Sequence, residues 1–144
     1  LESYKFRLQK LLDMRADKEE ESKRLFKEAQ LEREGAEQKL NSLKNDYNKY
    51  RTSESKNLVE QKLKHMYLNA LNLSIVEADA ALKQKNEKLE ERREQLKQKQ
   101  IERKTVETLK DKQFKAFAKE QELIEQKTND EFALYGFLRA RERR

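Results

Sequence analysis

No proline occurs anywhere in the 144 residues, and glycine occurs only twice, at Gly35 and Gly136. Proline removes a backbone donor and breaks a helix interior, and glycine frees the backbone for tight turns. With both nearly absent, the chain has few means of making the many turns that a sheet, a barrel or a many-helix bundle requires. Lys, Glu, Gln, Leu and Ala fill the sequence instead, and these lose little side-chain freedom in a helix. The expectation is an all-α protein with few breaks.

Charged residues make up 43% of the chain and hydrophobic residues 35%. So polar a chain stays disordered unless its apolar residues fall on one face, where they are buried together. They do so here. Leu8, Leu11, Leu12, Leu25, Ala29, Ala36, Leu40, Leu43, Tyr47 and Tyr50 follow one another mostly at steps of three, four or seven. From Ala36 to Tyr50 the steps alternate strictly between four and three, the mark of a coiled-coil seam. The charged stretch from Arg15 to Arg24 reads as an interruption. A first helix is expected over about residues 4 to 51.

The stretch from Arg51 to Asn57 is the most polar and turn-prone in the chain, because its Ser, Thr and Asn side chains compete for backbone hydrogen bonds. A break is expected at 52–57. Asn57 with Glu60 three residues on then opens a short helix, about 58 to 72, carrying Leu58, Leu63, Met66, Tyr67, Ala70 and Leu71. Ser74 with Glu77 has the spacing of a capping box, and Leu73 and Ala78 are placed to close a hydrophobic staple, so a long helix is expected to begin there and run to about residue 140. Ile75, Leu82, Leu89 and Leu96 repeat every seven residues along it, followed by Val106, Leu109, Phe114, Phe117, Ile124, Phe132 and Leu138. The predicted fold is a single elongated domain, a long antiparallel two-helix coiled-coil hairpin with a short helical segment near its tip. A continuous dimeric rod is the alternative, but it needs neither the polar break nor a fresh start at Ser74.

Templates for chemistry find no match. The sequence has no glycine-rich phosphate loop, no cluster of zinc-ligand type and no nucleophile with a matching base. His65 stands alone, cysteine is absent, and Glu19, Glu20, Glu21, Glu90 and Glu91 lie among lysines and arginines that keep them solvated. No catalytic residue, metal or cofactor is expected. The net charge of +6 arises from 34 basic and 28 acidic residues mixed along the chain. Even the most basic stretch, Lys83 to Lys104, is divided by Glu87, Glu90, Glu91 and Glu94, so nucleic acid is not an expected partner. No apolar run approaches the ~18 residues that would span a bilayer, and no secretory signal is visible. Direct membrane insertion is therefore not expected, and a cytoplasmic location is.

A hairpin brings Tyr47, Tyr50 and Tyr67 to its tip, with Leu40 and Leu43 below them. Tyrosine offers a large apolar face with a polar handle, so this end is either a contact patch or the plug of the coiled coil. At the other end Tyr4, Phe6 and Leu8 are expected to meet Phe132, Leu134, Tyr135, Phe137 and Leu138. Arg139, Arg141, Arg143 and Arg144 follow, more cations than one helix C-terminus accounts for.

Two blocks of residues resemble a known family. Tyr4-Lys5-Phe6-Arg7-Leu8 with Leu11, Leu12 and Arg15 is similar to the F-x-F-R-L-x-x-(V/L)-L-x-x-R opening of the flagellar export family FliJ, with Tyr4 where Phe is common. Glu102-Arg103-Lys104, Val106-Glu107 and Leu109-Lys110, then Glu125-Gln126-Lys127 and Asp130-Glu131, resemble that family's E-R-K-x-(L/V)-E-x-L-K and E-Q-K-x-x-D-E blocks. The middle of the chain matches in character alone. The resemblance implies a stalk like the gamma subunit of rotary ATPases, a non-catalytic part of the flagellar type III export apparatus at the cytoplasmic face of the inner membrane. It further implies that Phe6, Arg7, Leu11, Arg15, Glu125, Lys127, Asp130 and Glu131 contact the export ATPase hexamer, promoting its assembly and turnover. Leu40, Leu43, Tyr47, Tyr50 and Tyr67 would face the export gate membrane protein or cargo chaperones. A generic dimeric scaffold with no link to an ATPase is the alternative, and oligomeric state separates the two, since a hairpin satisfies its own seam as a monomer.

Overall fold

The computed structural model describes residues 3–143. Two helices account for nearly all of them, α1 (Gln9–Arg51) and α2 (Leu58–Glu142), and no strand occurs among the described residues. The fold is the expected all-α helical hairpin. Contacts divide it into two compact units, one of Leu1–Asp17 with Ile101–Arg144 and one of Lys18–Gln100.

Within Lys18–Gln100 the two helices run antiparallel, since partners recede along α2 as α1 advances. The Phe26 ring lies under the Arg93 guanidinium at 5.8 Å. Glu32 pairs with Lys85 at 3.1 Å and Lys88 at 3.6 Å, Arg33 Nε donates to Asn86 Oδ1 at 2.8 Å, and Tyr50 meets Tyr67 with ring centroids 4.4 Å apart. Besides half-buried Asp79, Lys99 and Gln100, the buried and half-buried positions of α2 here are Lys64, Leu68, Leu71, Ile75, Ala78, Leu82, Lys85, Leu89, Arg92 and Leu96. Their steps alternate between four and three throughout, so one stripe stays against α1. Facing them, Ala29 and Leu40 of α1 are almost fully buried. The charged stretch near the start of α1 is not a gap in the seam. It keeps the spacing with polar side chains, for Glu19 is 4% exposed and Ser22 8%, and the Glu19 carboxylate lies 3.6 Å from the Lys23 ammonium.

The turn lies where the sequence places it. Thr52 Oγ1 and Ser53 Oγ donate to the carbonyls of Asn48 and Tyr50, so side chains satisfy acceptors that the end of α1 leaves open. Asn57 Oδ1 accepts from the Glu60 N–H at 2.8 Å, and Glu60 reaches back to the Lys56 N–H at 2.7 Å. That is a working N-cap. Lys64 Nζ closes the turn on the Ser53 carbonyl at 2.7 Å.

The expected stop near Asn72 and fresh start at Ser74 are corrected, because α2 is continuous from Leu58. An N-cap requires non-helical backbone, and no proline or glycine lies nearby to provide the break. Leu71, Ile75 and Ala78 share a face against α1 only if the helix does not stop between them. Burial of that stripe outweighs the local preference of one serine.

The unit of Leu1–Asp17 with Ile101–Arg144 is also antiparallel within itself. Lys110 Nζ donates to Gln9 Oε1 at 2.7 Å, and Arg15 Nη1 donates to the Glu102 carbonyl at 2.8 Å. The first helix does not begin near residue 4 as expected but at Gln9, after an irregular segment. Tyr4 lies against α2, and the Phe6 carbonyl accepts from the Gln9 N–H at 3.2 Å where α1 begins. The Tyr4 ring contacts Phe114 edge-on and Phe117 at a tilt, each with centroids 5.4 Å apart, and Phe6 is 8% exposed.

Candidate interaction surfaces

The expected meeting of Tyr4, Phe6 and Leu8 with Phe132–Leu138 does not occur. Tyr4 lies on Phe114 and Phe117 instead. Once α2 is counted as one helix from Leu58, the register shifts by the length of the discarded short helix, and α1 runs out of chain early. Beyond Phe117 only Gln121 is even half-buried, and every described residue from Glu122 to Arg143 is exposed. Phe132 at 72%, Tyr135 at 66% and Phe137 at 63% stand in the open. Arg139 and Arg141 follow on the same bare helix, Arg143 lies just past its end, and Arg144 lies outside the described residues.

The residues singled out at this end therefore separate into two groups. Phe6 is buried, Leu11 and Arg15 are half-buried, and the Arg15 guanidinium holds the Glu102 carbonyl, so these three build the unit. Arg7 is exposed. Glu125, Lys127, Asp130 and Glu131 are exposed on the bare stretch of α2, about two to four turns past the last ring that Tyr4 touches.

At the turn, Leu40 is core and Leu43 and Tyr47 are half-buried. Tyr50 and Tyr67 do gather across the break, and each leaves 44% of its surface to solvent. Sequence reasoning missed the more exposed surface beside them. Val59, Leu63, Met66, Ala70 and Leu73 are all exposed, at steps of four and three, on the side of α2 turned away from the seam. The signal was present as a second series interleaved with Lys64, Leu68, Leu71 and Ile75, but reading Leu63, Met66 and Leu71 as one stripe merged the two. His65 lies next to this series in a shallow groove with Leu58, Lys62 and Met66.

Electrostatics here is that of largely exposed pairs, with buried Glu19 the exception. Glu32 is held below its ordinary carboxylate range by the hydrogen bond and charge of Lys85, with Lys88 adding to it. Lys23 is raised by Glu20 and then Glu19. No group of His, Asp or Glu among the described residues is arranged to hold a metal, and no helix among them is long and apolar enough to cross a membrane.

The family model described as "Flagellar FliJ protein" matches residues 4–142, nearly the whole chain. The chain belongs to the flagellar FliJ family. A similar relative is the flagellar FliJ protein of Bacillus subtilis strain 168, 27% identical over 151 residues, an alignment covering 94% of this chain and 97% of the relative. No solved structure matches. The FliJ match takes in both the packed seam and the bare end of α2, so the unpaired stretch lies within the family region.

Proposed function

We propose that this FliJ-family chain is a non-catalytic component of the flagellar type III export apparatus that binds the export ATPase hexamer through the bare end of α2. It works in the cytoplasm, at the inner face of the inner membrane, and needs no cofactor. The observation carrying this reading is the unpaired stretch after Phe117, where seven large hydrophobic residues from Leu123 to Leu138 are 44% or more exposed. Exposed apolar surface of that extent on a charged chain marks an interaction site.

On this reading Glu125, Lys127, Asp130 and Glu131 lie on the ATPase-facing helix, with Arg7 at the edge of that surface. Phe6, Leu11 and Arg15 act indirectly, by fixing where the packed seam ends. Tyr50 and Tyr67, supported by Leu40, Leu43 and Tyr47, form the surface for the export gate or for cargo chaperones. ATP hydrolysis by the cognate export ATPase, with and without this chain, tests the proposal alongside electron microscopy of ring assembly. Faster turnover with more complete rings is expected, and no change in either refutes it.

A further inference from the structure

The segment before α1 covers part of α2 without being built into the hairpin. Residues 3–6 are irregular, and residues 7 and 8 form a turn. The backbone of this stretch bonds to α1, through the Gln9 N–H on the Phe6 carbonyl at 3.2 Å and the Leu12 N–H on the Leu8 carbonyl at 3.0 Å. Among the described residues no backbone hydrogen bond crosses from it to α2. Rings hold it there instead, with Tyr4 on Phe114 and Phe117.

What Tyr4 covers is the near end of a longer row. Phe114, Phe117, Gln121 and Ile124 follow at steps of three, four and three, so they share one side of α2. Ile124 is 52% exposed, and Phe114 keeps 51% of its surface in solvent even beneath Tyr4. The cover also carries a defect. The Tyr4 hydroxyl oxygen is buried with no hydrogen-bond partner among the described residues, and water supplies one as soon as the ring lifts. Ring burial favours the docked segment, and the stranded hydroxyl opposes it.

We infer that residues 3–8 are a releasable strap. Docked, they cover Phe114 and Phe117; released, they add these two rings to the bare row that continues at Ile124. α1 stays packed meanwhile, because the irregular stretch before Gln9 supplies the hinge. The docked form dominates in the free chain. A partner lying along the whole row binds the released form, so its apparent affinity falls with the fraction of chains that are released. That last step rests on the ATPase reading given above, whereas the strap is a property of this chain and is read without any ATPase.

The chain has no native cysteine, so nitroxide labels can be placed on exposed sites and their separation read by pulsed electron paramagnetic resonance. Labels at Lys5→Cys and Ala118→Cys span the strap and α2, and labels at Lys10→Cys and Asp111→Cys span the packed helices beside it. In the otherwise unchanged chain both pairs are expected to give one narrow, short distance. Tyr4→Ala with Phe6→Ala is expected to make the first distance long and broad while the second stays as it was. Loosening of both pairs, or of neither, would overturn the inference. With the cognate export ATPase added, the first distance is expected to lengthen without any substitution. Tyr4→Phe should weaken ATPase binding roughly fivefold by removing the stranded hydroxyl, and the double alanine variant should tighten it. Weaker binding by the double variant would also overturn the inference, because the strap would then be part of the contact. An ATPase that binds no form of the chain counts against the function proposed above, and the two label distances then decide the strap by themselves.

Discussion

Removing one oxygen atom from Tyr4 should make the protein more stable. The Tyr4 ring is wedged against Phe114 and Phe117, and its hydroxyl oxygen is buried with no hydrogen-bond partner among the described residues. A buried hydroxyl gives up its bonds to water, and without a replacement the cost is about 1 to 3 kcal/mol. Tyr4→Phe keeps both ring contacts, so the unit containing Tyr4 should gain roughly 1 kcal/mol. Tyr4→Ala should lose about 3 kcal/mol, as for truncation of other buried aromatic rings. The assay is amide hydrogen exchange of residues 9–17 and 101–117, which isolates this unit from the rest of the hairpin. Slower exchange in Tyr4→Phe and faster exchange in Tyr4→Ala are expected. Faster exchange in Tyr4→Phe would refute the reasoning, because it would mean that the hydroxyl has a partner whose loss matters.

Asn57→Ala should destabilise the hairpin by about 1 kcal/mol through loss of the cap on the Glu60 N–H, whereas Ser74→Ala should be neutral or slightly stabilising, since Ser74 lies inside α2. Urea unfolding of both variants checks this, and a matching loss at Ser74 would restore the discarded break. Gly35 lies within α1, and a Cβ there would meet nothing within 4 Å. Gly35→Ala should therefore raise stability by up to about 1 kcal/mol in the same assay. The pairing of Glu32 with Lys85 and Lys88 lowers the Glu32 pKa from its ordinary 4.5. Its stabilisation is therefore fully present above that value and is lost as pH falls through the folded pKa. Melting temperatures of the parent and Glu32→Gln should differ at neutral pH and converge once the pH lies below the folded pKa of Glu32.

Much of the fold was legible because the signals were periodic and numerous. The lack of proline, the seam from Ala36 to Tyr50, the polar break and the cap at Asn57 all agree with one another and with the structure. What misled was a single local pattern. Ser74 with Glu77 matches a capping box, yet a cap is realised only where the backbone is free to leave the helix, and the stripe through Leu71, Ile75 and Ala78 holds it in place. That false start also moved the register, so Tyr4 was matched to Phe132 and its neighbours when its ring sits on Phe114 and Phe117. The bare end of α2 could not be seen until the register was corrected. Glu19 and Ser22 were overlooked for a different reason, since a search for apolar spacing passes over polar residues that keep the heptad while buried. The expectation of a monomer followed from a seam satisfied along its full length, whereas every described residue of α2 from Glu122 onward is exposed.

The most direct test of the account is ATP turnover by the cognate export ATPase in the presence of a chain lacking residues 132–144. The packed seam ends near Phe117, so the shortened chain should keep its hairpin and its cooperative melting while losing the stimulation given by the full chain. Full stimulation by the shortened chain would contradict the account, because the exposed apolar residues from Phe132 to Leu138 and the arginines after them would then play no part in recognition of the ATPase.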